Sequence, residues 1–184
     1  MKLDFNPFPV LTTRRLVLRM LLLTDAGDLA KLRSDEQVNR YLNRSATSNV
    51  IEAEAFIKNI TELLNKNTGA YWVICLKTDP TLIGTICFWN FDLKRQTADI
   101  GYELMPAQQG KGLMQEAIKA VIKYGFSEMQ LYAIIAVTHP DNSKSSKILI
   151  KNGFILDAAN KFVSKEDAAD EIVYVLRHKT AINI

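Results

Sequence analysis

Gln109-Gly110-Lys111-Gly112-Leu113-Met114 decides how this 184-residue chain is read, because it joins a strand-like segment, Thr97 to Met105, to a helix-like one. In the latter, Met114, Ile118, Val121, Ile122 and Gly125 form one apolar face opposite Gln115, Lys119 and Lys123. The first N–H groups of a helix lack internal partners, and the helix dipole adds partial positive charge. A phosphate can therefore dock at this junction, with glycine permitting close approach and Lys111 adding a positive group. The competing reading is that Gly110 and Gly112 only shape a tight strand-to-helix turn. Two nucleotide motifs fail here. A P-loop needs glycine where Met105 stands and Ser or Thr where Gly112 stands, and a dinucleotide fingerprint starting at Gly110 needs glycine or alanine where Gln115 stands.

Downstream, Leu131 to Val137 is almost wholly apolar, as expected of an interior strand, and it pairs across the helix with Thr97 to Met105 as a β-α-β unit with parallel strands. Asn142 opens a further helix containing Ile148 and Leu149, which Asn152-Gly153 closes; Ile172 to Leu176 is the last strand. Upstream, Leu16 to Met20 alternates as a half-buried strand. Asp25 is placed to cap a helix through Ala26, Leu29 and Ala30, and Asn49 with Glu52 resembles a capping box before Ala53, Phe56, Ile57, Ile60 and Leu64. Tyr71 to Leu76 and Leu82 to Trp89 form a hairpin about Asp79-Pro80. The fold class is mixed α/β, with hairpins first and the crossover later.

At 48% hydrophobic and 23% charged residues, the chain reads as one soluble globular domain over residues 1–184, and disorder and collagen-like structure are excluded. Lys plus Arg (23) less Asp plus Glu (20) leaves +3, too small and scattered for a nucleic-acid footprint. Cys75 and Cys87 lie in apolar stretches and read as buried thiols in a reducing compartment. Lys2, Asp4, Pro7 and Pro9 interrupt any signal-peptide run, and no stretch approaches the roughly 20 residues of a membrane span, so a cytoplasmic protein without membrane contact is expected.

Gln109 and Gly112 fall on Gln/Arg-x-x-Gly-x-Gly/Ala, with Met114 in place of the final small residue; this is the phosphate-binding signature of the GNAT superfamily of acetyl-coenzyme A dependent N-acetyltransferases, which the chain resembles. A methionine at the last position is familiar in the subgroup of ribosomal-protein N-terminal acetyltransferases called RimJ and RimL. Thr13 to Arg19 is similar to the subgroup's first strand, Ile100-Gly101-Tyr102 to its fourth, and Asn142-x-x-Ser145 with Leu149, Lys151, Gly153 and Phe154 to its second cofactor motif. The resemblance implies a splayed central sheet flanked by helices in a single domain, with the pantetheine arm of acetyl-CoA lying in the gap like an added strand. It puts the pyrophosphate on the backbone of Gln109, Gly110, Lys111, Gly112, Leu113 and Met114, and the acetyl and pantetheine groups beside Leu104 and Met105. It implies that Asn142 bonds the cofactor arm and that Ser145 lies near the sulfur. On the residues alone, Asn142 is equally a helix cap and Ser145 an exposed first-turn residue.

Acetyl transfer needs a neutral amine, a polarised carbonyl and help for the departing thiolate. With a pKa of about 7.8, roughly a third of an α-amine is neutral near pH 7.5, against about one in a thousand for lysine at about 10.4. Another branch of the superfamily uses a tyrosine as proton donor to the thiolate; the matching residue here is Leu149, so Ser145 is the candidate. A backbone N–H near Leu104 or Met105 is the candidate for polarising the carbonyl. For the base, Asp99 and Glu103 share one strand face with Gly101; Glu103 is preferred narrowly as the nearer to the acetyl site, with a solvated strand charge, an ion pair or a water relay as the alternatives. His139 and His178 have no metal-site spacing, and no metal is expected. Lys147 and Lys151 can meet a 3'-phosphate or simply face solvent, and Trp72 and Trp89 read as core. The expected acceptor is a protein N-terminal α-amine, with a small amine as competitor and a catalytically silent acyl-CoA sensor as the reading from another class. A monomer or homodimer is expected.

Overall fold

The computed structural model describes residues 1–42, 44, 49–158, 162 and 171–178. Its strands are β1 (Leu11–Thr12), β2 (Leu16–Met20), β3 (Ala70–Leu76), β4 (Asp79–Asp92), β5 (Thr97–Leu104), β6 (Ala133–Thr138), β7 (Ile155–Leu156) and β8 (Ile172–Arg177). The helices are α1 (Ala26–Ser34), α2 (Glu36–Asn39), α3 (Val50–Asn65), α4 (Leu113–Ser127) and α5 (Ser143–Lys151). The strands form one sheet in the order β1-β2-β3-β4-β5-β6-β8-β7, mixed α/β as expected, with β5 and β6 the parallel pair.

Two cores explain the layering. Alternation along the strands sends Leu16, Leu18, Trp72, Ile74, Phe88, Ala98 and Ile100 to one face, where they meet Leu113, Met114, Ala117, Ile118 and Val121 of α4 and Leu149 of α5. The other face sends Val73 and Cys75 against Leu29 and Leu32 of α1 and Ala53 and Ile57 of α3. Burying an aliphatic side chain of this size contributes about 1.5–3 kcal/mol, so these stripes hold the helices to the sheet.

Local signals behave unevenly. Asn49 caps α3 by accepting from the Glu52 N–H at 3.0 Å, one of the two bonds of a capping box. Asp25 occupies the cap position of α1 but makes no capping bond. Its buried carboxylate instead accepts the Leu22 N–H at 2.8 Å and both Nη atoms of Arg19, because a two-pronged guanidinium outcompetes a single amide. Cys75 and Cys87 are free; burial pushes the Cys87 thiol up to about 12, so it is protonated at neutral pH. Trp72 is fully buried with its Nε1–H on Pro9 O, whereas Trp89, expected in the core, is 53% exposed near the end of β4. No helix among the described residues is long and apolar enough to cross a membrane.

The feature that positions the site is where pairing stops. β5 and β6 are in register only at Thr97–Ala133, Ala98–Ile134 and Asp99–Ile135. Beyond that rung β5 stays on β4 as far as Leu104–Gly84, and β6 stays on β8 as far as Thr138–Ile172. The sheet therefore opens between residues 100–104 and 136–138, as the resemblance implies.

Candidate active site

The gap is lined by main chain with unused direction. Met105 N–H donates to Ile83 O at 2.9 Å. Since antiparallel strands alternate the side to which their amides point, Tyr102 and Leu104 turn their N–H groups away from β4 and into the gap. Of the two positions expected to polarise a carbonyl, Met105 is thus committed elsewhere and Leu104 is directed correctly. The Leu104 carbonyl accepts Gln109 Nε2 at 3.0 Å, and Gln109 Oε1 receives Lys144 Nζ at 3.3 Å, so the Gln109 side chain ties the end of β5 to α5.

At the mouth of the gap a single 3-10 turn, Pro106–Gln108, leads into the glycine loop. Gly110 and Gly112 adopt φ of 75° and 73°, the left-handed region in which other residues are strained. These glycines make the turn, and Gly112, at the position before α4, leaves the helix with no side-chain cap. The first helical bond runs from Glu116 N–H to Gly112 O, so the N–H groups of Leu113, Met114 and Gln115 have no intrahelical acceptor. Leu113 and Met114 are buried, offering a ligand backbone alone, and the Met114 side chain packs in the core. Exposed Lys111 rests on Gln108 Oε1 at 3.1 Å. This array of amides at a helix N-terminus fits a diphosphate.

Arg15 and Glu116 brace the loop from outside. Glu116 accepts Thr13 Oγ1 at 2.6 Å, Arg15 N at 2.7 Å and Arg15 Nε at 2.7 Å, while Arg15 Nη1 donates to Lys111 O at 3.0 Å. Burial acts to raise the Glu116 pKa, but these hydrogen bonds prevail and bring it down to about 2. The guanidinium offsets the negative charge that Glu116 would otherwise place beside an incoming phosphate. Sequence spacing gives no hint of this partnership, since Arg15 and Glu116 are 101 residues apart.

Deeper in the gap, the Ser145 hydroxyl lies 2.9 Å from the Tyr102 hydroxyl. Burial pushes the Tyr102 phenol up to about 12 against the smaller opposing effect of the Ser145 hydrogen bond, so it is protonated at neutral pH. Tyr102 was not among the expected site residues; its two-residue spacing from Leu104 on the gap-facing strand was the available signal. Asn142 Oδ1 accepts the Ser145 N–H at 3.1 Å, which makes Asn142 the cap that orients Ser145. Leu149, where another branch carries a tyrosine, is fully buried.

The two carboxylates part company. Both lie on the face shared with Thr85, Cys87 and Trp89, opposite α4 and α5. Glu103 is locked by Arg44, Nη1 to Oε1 at 2.6 Å and Nη2 to Oε2 at 2.7 Å, with Arg33 Nη1 at 3.9 Å. Asp99 is half-buried at the last β5–β6 rung with Asn90 Nδ2 on its Oδ2 at 3.0 Å, and burial raises its pKa against that hydrogen bond. His139 stacks on Tyr41, and its Nδ1 accepts the Asp141 N–H at 3.1 Å. Among the described residues no group of three or more His, Cys, Asp or Glu side chains is placed to hold a metal ion. A cavity of about 620 Å³ lies away from the gap, lined by Lys119, Lys123, Lys151 and Arg177 among others. Its lining includes neither the glycine loop nor Ser145.

Comparison with known proteins agrees with this geometry. The family model described as an acetyltransferase (GNAT) domain matches residues 15–155. The uncharacterized N-acetyltransferase YoaA of Bacillus subtilis is 35% identical over 147 residues, spanning 80% of this chain and 83% of that protein. The ribosomal-protein-serine acetyltransferase of Escherichia coli is 33% identical over 111 residues, 60% of this chain and 62% of that protein. The structure of Mycobacterium smegmatis RimJ in complex with CoA-disulfide superposes with a TM-score of 0.79 at 18% identity, covering 95% of this chain and 89% of that one. The chain belongs to the GNAT family and is an acetyl-CoA-dependent N-acetyltransferase.

Proposed function

We propose that the enzyme acetylates a protein N-terminal α-amine, by direct attack of the amine on acetyl-CoA in a ternary complex. The observation that carries the reading is the opening of the sheet beside uncapped α4 amides, one place for a diphosphate and one for an extended arm. The α-amine is favoured because it is neutral to roughly a third near pH 7.5 and needs little help from a base. The similarity to a relative named as a ribosomal-protein-serine acetyltransferase supports the same acceptor class.

Bound acetyl-CoA supplies the activated thioester. The amides of residues 110–115 hold its diphosphate, and Asn142, whose Oδ1 holds α5, turns Ser145 toward the arm. The N–H of Leu104 or Tyr102 donates to the carbonyl oxygen as negative charge develops on it. With Tyr102 donating to Ser145, the Ser145 proton is free to point at the sulfur as the carbon–sulfur bond breaks. The amine enters from the face opposite α4 and α5 and forms the new carbon–nitrogen bond. Its proton leaves toward Asp99 through water, since Asp99 stands three strand residues, about 10 Å, before Tyr102. Glu103 is the nearer carboxylate by strand position, but both of its oxygens are occupied by the Arg44 guanidinium. Asp99, with burial raising its proton affinity, is better suited.

The test supplies acetyl-CoA with N-terminal peptides, polyamines and aminoglycosides, and follows free thiol together with product mass. Equal release of thiol and N-terminally acetylated peptide is expected. Acetylation confined to small amines refutes the acceptor, and tight cofactor binding with no acetylated product from any of them favours the sensor.

A further inference from the structure

The Glu103 contact has more capacity than one carboxylate uses. A guanidinium carries five N–H donors. Arg44 gives three of them to described partners, two to Glu103 and one from Nε to Asn39 Oδ1 at 2.9 Å. Two donors remain on its Nη atoms, and its side chain is 19% exposed. Arg33 stands beside it, 3.9 Å from the same Glu103 oxygen and 4.0 Å above the Phe56 ring, held from its own backbone by Asn39 Nδ2 on Arg33 O at 2.6 Å. Asn39 thus braces both arginines. Among the described residues, two positive groups and one negative group meet at this contact. The contact sits on the amine's side of the sheet, and Glu103 is the strand neighbour of Leu104.

We propose that Arg44, with Arg33 beside it, recognises a carboxylate that the acceptor carries within two residues of its reacting amine. This rests on the acetyl-transfer reading and adds a substrate class to it: acceptors with an acidic residue at or next to the N-terminus. Glu103 is then a positioning residue. It holds the Arg44 guanidinium flat and pre-oriented, leaving one outer N–H on each Nη edge, one of them for the acceptor carboxylate, so little side-chain entropy is lost on binding.

The experiment uses two peptide pairs that differ only by Asp against Asn, one pair at position 1 and one at position 2. Each peptide is assayed with acetyl-CoA and also titrated calorimetrically into protein saturated with CoA. For at least one pair the acid is expected to exceed the amide by about 10- to 100-fold in kcat/KM and in affinity, the range for a charge-assisted hydrogen bond. That ratio should shrink in high salt, collapse toward one in Arg44→Gln, and fall to an intermediate value in Arg44→Lys, which keeps the charge and loses the fork. Thermal unfolding confirms that each variant is folded; if Arg44→Gln is not, Arg44→Lys decides. A ratio of one for both pairs in the wild type, or a ratio unchanged in the folded variants, overturns the proposal. Discrimination in binding without any acetylated product overturns the acetyl-transfer reading and leaves the carboxylate site standing.

Discussion

Glu116→Gln is the substitution whose consequence the structure defines most fully. The carboxylate accepts from the Thr13 hydroxyl and the Arg15 N–H on one oxygen and from Arg15 Nε on the other. Glutamine can keep the first oxygen's bonds but turns an NH2 group toward a donor, so the charged contact to Arg15 is lost. A carboxyl held at about 2 instead of 4.5 corresponds to at most about 3 kcal/mol of stability. Because the Arg15 side chain is 43% exposed, solvent screening reduces this to about 1–2 kcal/mol. The sign follows from the lowered pKa. The contribution is fully present above about 4.5, where the unfolded chain's carboxylate is ionised, and disappears as pH falls toward 2. Urea unfolding of both proteins between pH 2 and pH 7 should show a gap of about 1–2 kcal/mol at pH 7 that closes toward pH 2. At neutral pH the corresponding loss in Tm is about 2–8 °C. Released Arg15 no longer steadies Lys111 O, so CoA affinity should fall about 3- to 10-fold as well. A stability gap independent of pH, or no gap at pH 7, would refute the reasoning.

Other perturbations separate the remaining roles. Gly112→Ala puts a side chain at φ 73° with only the flexible Arg15 Nη2 at 3.6 Å; calorimetry should show CoA binding weakened about tenfold and unfolding scans a loss of about 1–2 kcal/mol, and unchanged affinity would remove the loop from the site. Ser145→Ala and Tyr102→Phe should each lower kcat about 10-fold or more with CoA affinity nearly unchanged, while the double variant falls little further; additive losses would mean the two hydroxyls act separately. Asp99→Asn should stabilise the fold at pH 7, because a carboxyl whose pKa is raised by burial costs stability once ionised, and should depress kcat/KM most where the amine is still protonated. An identical pH–rate profile would leave water as the proton acceptor.

The segments that the sequence made legible are those whose determinants are local. Asn49 caps α3 because its partner Glu52 is three residues away, and the glycine loop could be read because its donors are consecutive backbone amides beside a periodic helix. Two-residue strands such as β1 and β7 carry no period and went unread. The same limit hides most of the site's side-chain chemistry. Tyr102 and Ser145 are 43 residues apart, Arg44 and Glu103 are 59 apart, and no local pattern records that folding brings them together. Trp89 is a related case: its type suits a core, but near the end of β4 it is 53% exposed. Strand position alone puts Glu103 ahead of Asp99, and it cannot reveal the guanidinium that meets Glu103 across the face.

The most direct test is a crystal structure of the enzyme with CoA. Diphosphate oxygens should lie at hydrogen-bonding distance, about 2.7–3.2 Å, from N–H groups of residues 110–115, with the arm running between β5 and β6 past Leu104 and Tyr102 and the sulfur beside Ser145. A diphosphate seated instead among Lys119, Lys123, Lys151 and Arg177, with the gap between the strands empty, would contradict the account.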